Sequence, residues 1–359
     1  MNKFLFPIVL LLTLWSCSKE NGTSTVLENP TSTFVSAVDI SSFPEIQAFS
    51  PKFYNGDGTQ EEFLSILKKS GVNTIRLRLW VQPENNHSGF EEVRQFTSEL
   101  KNKGFKIWLT LHYSDTWADP SQQEIPNEWK NQDISELQKS VYEYTKKVVL
   151  EIQPDYIQIG NEINTGILHP SGNIEDNTQN FIDLIKQGVA AVRNHSSDCK
   201  IILHFAGIEN STWFFNQVKT IDYDIIGLSY YPKWHGKSLS NLKSKMQELS
   251  NSYNKEILIA ETAYPFTLDW NDWTNNIVGL EEHLILPDYP ATPNGQQKFV
   301  GDLKQLIKEV EMGIGFCYWG GELIAWKGEQ GTEASPWENQ ALFDFNNQAL
   351  PVLLEFQIE

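Results

Sequence analysis

Two glutamates, Glu162 and Glu261, carry the first chemical signal in this 359-residue chain. Each closes an apolar run, DYIQIGNE at 155–162 and KEILIAE at 255–261. Ending a buried strand on a carboxylate is costly unless that group is paired or used. Upstream, NTIRLRLW (73–80) puts Ile75, Leu77 and Leu79 on one face of a strand and Arg76, Arg78 and Trp80 on the other. Buried guanidinium groups need carboxylates or other acceptors, and the pair implies acidic company inside; a structural ion pair is the alternative reading for Arg76. Two converging carboxylates beside an arginine are the minimum set for cleaving a glycosidic bond. One protonates the leaving oxygen, and the other stabilises or attacks the oxocarbenium-like carbon. Their separation sets the stereochemistry, ~5–5.5 Å for retention and ~6.5–9.5 Å for inversion, and sequence does not supply it. Like charges in a confined site raise the pKa of one carboxyl and let it act as the acid.

The elements that must position these residues alternate along the chain. Strands are expected at 34–40, 73–80, 105–114, 155–162, 200–207, 223–231, 255–264 and 313–320. Helical patterns fall between them at 59–71, 90–104, 134–152, 174–195, 212–219, 239–253 and 294–311. Short strands alternating with helices argue a parallel sheet, and eight of them argue a single closed (β/α)8 TIM barrel. An open doubly wound sheet would want a Gly-rich turn after the first strand, where ISSFPE (40–45) stands instead. Gln158, Gly160 and Glu162 share one parity; Ile257, Ile259 and Glu261 share another. Alternation therefore sends both glutamates inward at the C-terminal mouth. It turns Asn161 away unless the strand twists or ends there, and Gly160 leaves room for a sugar or a neighbouring chain. Two long connections, 265–293 and 321–350, follow strands and so lie on the face where barrels keep their sites.

Composition narrows the partners. A net charge of −18 argues against nucleic acid, which needs a basic footprint. Twelve Trp and twelve Tyr suit a cleft that stacks on flat-faced ligands. Several of them, Trp80, Trp117, Trp234 and Trp319 among them, follow strands. Cys199 and Cys317 read as buried thiols, with a disulfide as the alternative. The N-terminus, MNKFLFPIVLLLTLWSC, has signal-peptide architecture over 1–16 and is too short for a comfortable span. LWSC resembles a bacterial lipobox, with Trp15 departing from the usual small residue; an ordinary signal peptide is the alternative. Residues 17–33 then form a polar tether on a lipidated Cys17, and the barrel fills 34–356.

The segments DISSFP (39–44), GVNTIRLRLW (71–80), HYSDTWADP (112–120), QIGNEINTG (158–166), IGLSYYPKWHG (226–236), ETAYPF (261–266) and YWGGE (318–322) together resemble the glycoside hydrolase family 53 endo-β-1,4-galactanases, of the large retaining clan built on (β/α)8 barrels. The resemblance implies Glu162 as general acid/base and Glu261 as nucleophile. It implies that Asn161 binds the sugar 2-hydroxyl and that one of Arg76 and Arg78, preferably Arg76, orients the nucleophile with Tyr231. His112 and Asp115 are implied as subsite residues, and Trp319 as the floor beneath the sugar. The implied substrate is β-1,4-galactan of type I arabinogalactan, cleaved in endo mode by a monomer. The acidic residue soon after Cys17 resembles the surface-export signal of Bacteroidetes lipoproteins, which with the lipobox implies a lipid-anchored protein exposed on a bacterial outer membrane. Alternatives are a mannanase- or cellulase-like hydrolase of the same clan, or a glycan-binding surface lipoprotein without catalysis.

The resemblance also raises a structural calcium in the loop after the seventh strand, YPFTLDWNDWTNNIVG. Asp269, Asn271, Trp273 and Asn275 alternate there, and oxygen ligands at such positions can wrap a hard cation, with a backbone carbonyl serving at one of them. Asp272 is a spare ligand. The family's typical segment is more acidic and contains a histidine, whereas here Trp273 takes a central place; a loop held by its own side-chain turns is the alternative. Catalysis of this kind requires no metal.

Overall fold

The computed structural model describes Met1 and residues 34–358; the signal segment, the tether and Cys17 lie outside the described residues. Eight strands alternate with helices as the apolar patterning requires. They are β1 (Val35–Asp39), β2 (Thr74–Leu79), β3 (Lys106–Leu111), β4 (Tyr156–Ile159), β5 (Lys200–Ala206), β6 (Ile225–Ser229), β7 (Glu256–Thr262) and β8 (Gly313–Trp319). Each pairs in parallel with its neighbours, and β8 closes on β1, register Val35 to Gly315 through Asp39 to Trp319. The crossovers are α1 (Phe63–Lys69), α2 (Phe90–Asn102), α3 (Ile134–Ile152), α4 (Thr178–His195), α5 (Ser211–Val218), α6 (Leu239–Tyr253) and α7 (Pro293–Lys308). Asp133 starts α3 with a reciprocal capping box to Glu136, satisfying two backbone N–H groups at once. The eighth crossover is a 3-10 turn, Pro351–Phe356, whose Phe356 packs on Phe316 at 5.3 Å between ring centres. Ser36 Oγ donates to the Phe356 carbonyl at 2.8 Å and ties this turn under β1. Among the described residues no helix is long and apolar enough to cross a membrane.

The barrel interior divides by height. Its lower part is apolar, filled by Val35, Ala37, Trp108, Ile202, Ile225, Leu258, Ala260, Ile314 and Cys317. Inward positions nearer the C-terminal ends are polar: Asp39, Arg76, Gln158, His204 and Ser229, all buried. Strand seven departs from the alternation expected of it. Leu258 and Ala260 point inward, while Ile257 and Ile259 join the outer core against the helices. Simple alternation would send Glu261 outward. A bulge intervenes, for Leu228 pairs with Ile259 but Ser229 pairs with Glu261, and the extra residue turns Glu261 into the mouth. Cys199 and Cys317 are free buried thiols.

The two long connections carry only single 3-10 turns and are bonded to each other. Phe266 N donates to Asn339 O at 2.9 Å, Ile277 N to Pro336 O at 2.9 Å, and Trp273 N to Gly331 O at 2.9 Å. The Asn339 amide reaches Thr267 O and Val278 O. Two small features escaped the sequence pattern, the hairpins Phe53–Tyr54 with Gln60–Glu61 and Gly166–Ile167 with Gly172–Asn173.

Gly71, between α1 and β2, has φ +97°, and a Cβ there would meet the Phe356 carbonyl oxygen at 2.6 Å. Gly71→Ala is expected to lose roughly 1–3 kcal/mol of stability from backbone strain and the clash, read as a lower midpoint of thermal unfolding.

Candidate active site

Arg76 occupies the centre of the mouth and is 2 % exposed. Its guanidinium donates to Asp39 Oδ2 and Glu261 Oε1, each at 2.7 Å, and to Asn161 Oδ1 at 2.9 Å. Strands β1, β2 and β7 and the end of β4 thus meet on one cation. Burial alone would weaken its charge, but Glu261 and Asp39 outweigh burial and raise its pKa. Arg78 does not follow its neighbour. It forms no ion pair among the described residues; Nε donates to Ser88 Oγ at 2.7 Å, and the guanidinium lies over Trp80 at 4.7 Å and Trp117 at 4.3 Å. Hydroxyls and aromatic faces are the acceptors that satisfy it.

Strand β4 ends at Ile159, and Gly160 (φ +82°) and Glu162 (φ +45°) turn the chain. This resolves the parity conflict. Asn161 turns into the site rather than away, where its amide also donates to Ala118 O at 2.9 Å. Gly160 is required by Ile163, whose Cγ2 would lie 2.4 Å from a Cβ, so the crowding comes from its own loop rather than from a sugar. The left-handed backbone of Glu162 is uncommon for a residue with a side chain and is the sort of strain that functional sites retain.

The two carboxylates have unlike surroundings. Glu261 receives Arg76 and, at 3.1 Å, the Tyr231 hydroxyl. Glu162 is partly exposed, and its Oε1 receives only the Ser229 hydroxyl at 2.5 Å. Burial and the facing Glu261 push Glu162 up to about 8. Burial raises Glu261 too, but Arg76 and the Tyr231 hydroxyl oppose that rise, so Glu162 holds the proton of the pair. One oxygen of each glutamate and a ring nitrogen of His204 lie within 4.8 Å of one another. Both His204 nitrogens are engaged, Nε2 with Ser229 and Nδ1 with Gln158 and the Glu162 N–H, which fits a hydrogen-bonded site better than a metal centre.

Around these groups lies a cleft of about 950 Å³. Arg76, Arg78, Trp80, His112, Trp117, Asn161, Tyr231, Trp234 and Trp319 all line it with the glutamates. Its aromatic wall is continuous: Trp117 meets Trp319 at 6.0 Å, Trp319 meets Trp337 at 4.6 Å, and Trp337 meets Tyr231 at 5.6 Å. His112 accepts from the Ala118 N–H and is held neutral by burial and by the two arginines. Asp115 stands apart, in a neighbouring pocket, with its carboxylate accepting from the backbone of Gln82 and Asn127. Of the other aromatics that follow strands, Tyr113, Tyr230 and Tyr264 are buried in the core.

The calcium expectation meets a different set of oxygens. Asp269 is exposed and bonded to Thr267, the Trp273 side chain is 61 % exposed, and Asn275 is exposed. Asp272 and Glu338 are buried instead. Glu338 Oε1 accepts from the Asn271 and Asp272 N–H groups, while Asp272 Oδ2 and Glu338 Oε2 have no protein partner. Those two buried carboxylates come one from each long loop.

Sequence reading missed Asp39, His204, Ser229 and Trp337 as site residues. The first three follow from the inward parity of their strands. Trp337 lies in an aperiodic connection and gave no signal.

A carboxyl held up near pH 8 in the folded chain but titrating at ~4.3 when unfolded destabilises the fold as pH rises between those values. Glu162→Gln removes that liability. Its melting temperature is expected to match wild type near pH 4 and to exceed it at pH 8, measured by calorimetry across the range.

Residues 35–356 match the sequence profile of glycosyl hydrolase family 53. The arabinogalactan endo-β-1,4-galactanase of Cellvibrio japonicus is 36 % identical over 326 residues, covering 85 % of this chain and 86 % of that one. The catalytic domain of the family 53 enzyme of Ignisphaera aggregans superposes with a TM-score of 0.85 at 37 % identity, covering 90 % of this chain and 95 % of that one. A fungal β-1,4-galactanase superposes with a TM-score of 0.78 at 29 % identity, covering 90 % and 98 %. A barrel with paired glutamates at its mouth and a profile match across nearly all of its described length give one conclusion: this chain is a glycoside hydrolase and belongs to glycosyl hydrolase family 53.

Proposed function

We propose that the protein hydrolyses internal β-1,4-galactosidic linkages of pectic galactan by a retaining, two-glutamate double displacement. The observation that carries this reading is the asymmetry of the carboxylate pair. Glu261, held by Arg76 and Tyr231, is the nucleophile. Glu162, raised to about 8, is the acid that protonates the leaving oxygen and then the base that activates water. One oxygen of each lies within 4.8 Å of the other, a close approach that supports the retaining reading. The galactan substrate is supported by the names of the similar proteins, and the endo mode by a cleft lined with exposed and half-buried tryptophans.

Within this reading Asn161 and Trp319 contact the sugar beside the cleaved bond, and Trp80, Trp117 and Trp234 extend the stacking surface. His112 and Arg78 orient that surface, and Asp115 acts by holding the loops that follow β2 and β3. A lipid anchor on Cys17 at the surface of a bacterial outer membrane belongs to the proposal as well, resting on the LWSC segment.

The discriminating measurement is product release from galactan, mannan and cellulose. Oligosaccharides of mixed length from galactan alone are expected, with Glu162→Gln and Glu261→Gln each at least ~1000-fold slower and still folded. Cleavage of mannan without cleavage of galactan would defeat the substrate assignment. Wild-type rates in both variants would defeat the mechanism.

A structural calcium bridging the two long loops through Asp272 and Glu338 is the second part of the proposal. Calcium is expected to raise the melting temperature of the chelator-treated protein, and Asp272→Asn is expected to abolish that rise.

A further inference from the structure

The hydrogen bonds around Glu162 have forced directions. The Glu162 backbone N–H points to His204 Nδ1 at 3.2 Å, and a backbone amide can only donate. Nδ1 is therefore the acceptor of the ring, and the Gln158 amide at 2.9 Å donates to it as well. The ring proton of a neutral His204 then sits on Nε2, which faces Ser229 Oγ at 2.9 Å. Ser229 accepts that proton donor and must direct its own hydrogen to Glu162 Oε1, at 2.5 Å. The approach of Nδ1 to Asn161 Oδ1, 3.2 Å, is a contact between two acceptors, both served by the Gln158 amide. His204 and Ser229 are fully buried.

We propose that His204 and Ser229 form a one-way hydrogen-bond relay that makes Glu162 Oε1 a permanent acceptor and leaves Oε2 as the atom that carries and transfers the proton. The relay rests on the reading of Glu162 as acid/base. In the first step the Oε2 proton passes to the glycosidic oxygen while the anomeric carbon–oxygen bond breaks and the bond to Glu261 forms. In the second, Oε2 takes a proton from water as the water oxygen bonds to that carbon and Glu261 leaves. Ser229 and His204 keep their own protons throughout. A donor that serves both the acid and the carboxylate form needs no rearrangement between the two steps.

Ser229 is paired in register with Glu261, yet its hydroxyl goes to Glu162. His204 dictates that choice. Glu261 is left to Arg76 and Tyr231, and Glu162 receives a neutral donor that leaves it able to hold a proton. The groups facing Glu162 are Glu261 from β7, Arg76 from β2, Asp119 from the loop after β3, Tyr231 after β6, and His204 from β5. Glu261 and Asp119 raise the carboxyl, Arg76 and the Ser229 hydroxyl lower it, and only Ser229 can be removed without losing a charge from the cleft.

Ser229 and His204 are positioning residues, so the test is a pH profile. Ser229→Ala is expected to move the basic limb of kcat/KM on galactan upward by about one pH unit, because the carboxylate form loses its donor. Its kcat on galactan should fall roughly tenfold. On 4-nitrophenyl β-1,4-galactobioside, whose leaving group needs little protonation, kcat/KM should fall much less. Ser229→Thr should restore the wild-type limb, and His204→Gln, which keeps a donor toward Ser229, should lie between wild type and Ser229→Ala. A parallel Glu162→Ala separates the two ideas. If that variant cleaves galactan at the wild-type rate, the acid/base reading falls and the relay with it. If it is inactive on galactan while Ser229→Ala keeps an unmoved limb, the relay alone is overturned.

Discussion

A single buried guanidinium holds together parts of the barrel that are distant in sequence. Arg76 from β2 bonds Asp39 from β1, Glu261 from β7 and Asn161 beyond β4. An unpaired charge at that depth would be intolerable, and so would either carboxylate without it. The strand ends are therefore not free to choose their geometry independently. The bulge that turns Glu261 inward and the left-handed turn that brings Asn161 around are both irregularities of the barrel, and both end in contact with the same cation.

The asymmetry of the glutamate pair follows from where that cation stands. Arg76 touches one glutamate and not the other. Glu261 is given a full charge and a phenol as donors, while Glu162 is given one hydroxyl. Two residues of identical chemistry thus acquire unlike electrostatic surroundings from their neighbours alone. The neutral state of His112 and His204 belongs to the same design, since burial beside Arg76 denies each a second proton.

Much of this was legible beforehand, for identifiable reasons. Eight apolar runs separated by helical periodicity specify a closed barrel, because parallel strands must be covered on their outer face. Glu162 announced itself as a charge closing an apolar run, and Arg76 as a charge alternating with leucines and isoleucine inside one. Strand seven was harder. Alternation counted from Ile257 reached the right glutamate by the wrong path, since a bulge adds a residue without leaving a mark in the apolar pattern. Which of the two arginines takes the carboxylates was not legible, because a guanidinium is satisfied by aromatic faces and hydroxyls as well. The backbone N–H groups of Gln82 and Asn127 that bind the Asp115 carboxylate are not located by periodicity. Trp337 and the buried pair Asp272 and Glu338 depend on how two aperiodic loops fold against each other, and no local pattern encodes that.

Those two loops also constrain how such an enzyme can diversify. They leave neighbouring strands, β7 and β8, and share at least three backbone hydrogen bonds and both amide contacts of Asn339. One wall of the cleft, including Trp337, is built at their seam. Lengthening or shortening one of them strands buried donors in the other. Natural variation in product size, or an engineered graft between relatives, has to exchange the pair as one cassette, so the smallest heritable unit of specificity on this side of the barrel is a double insertion rather than a point change.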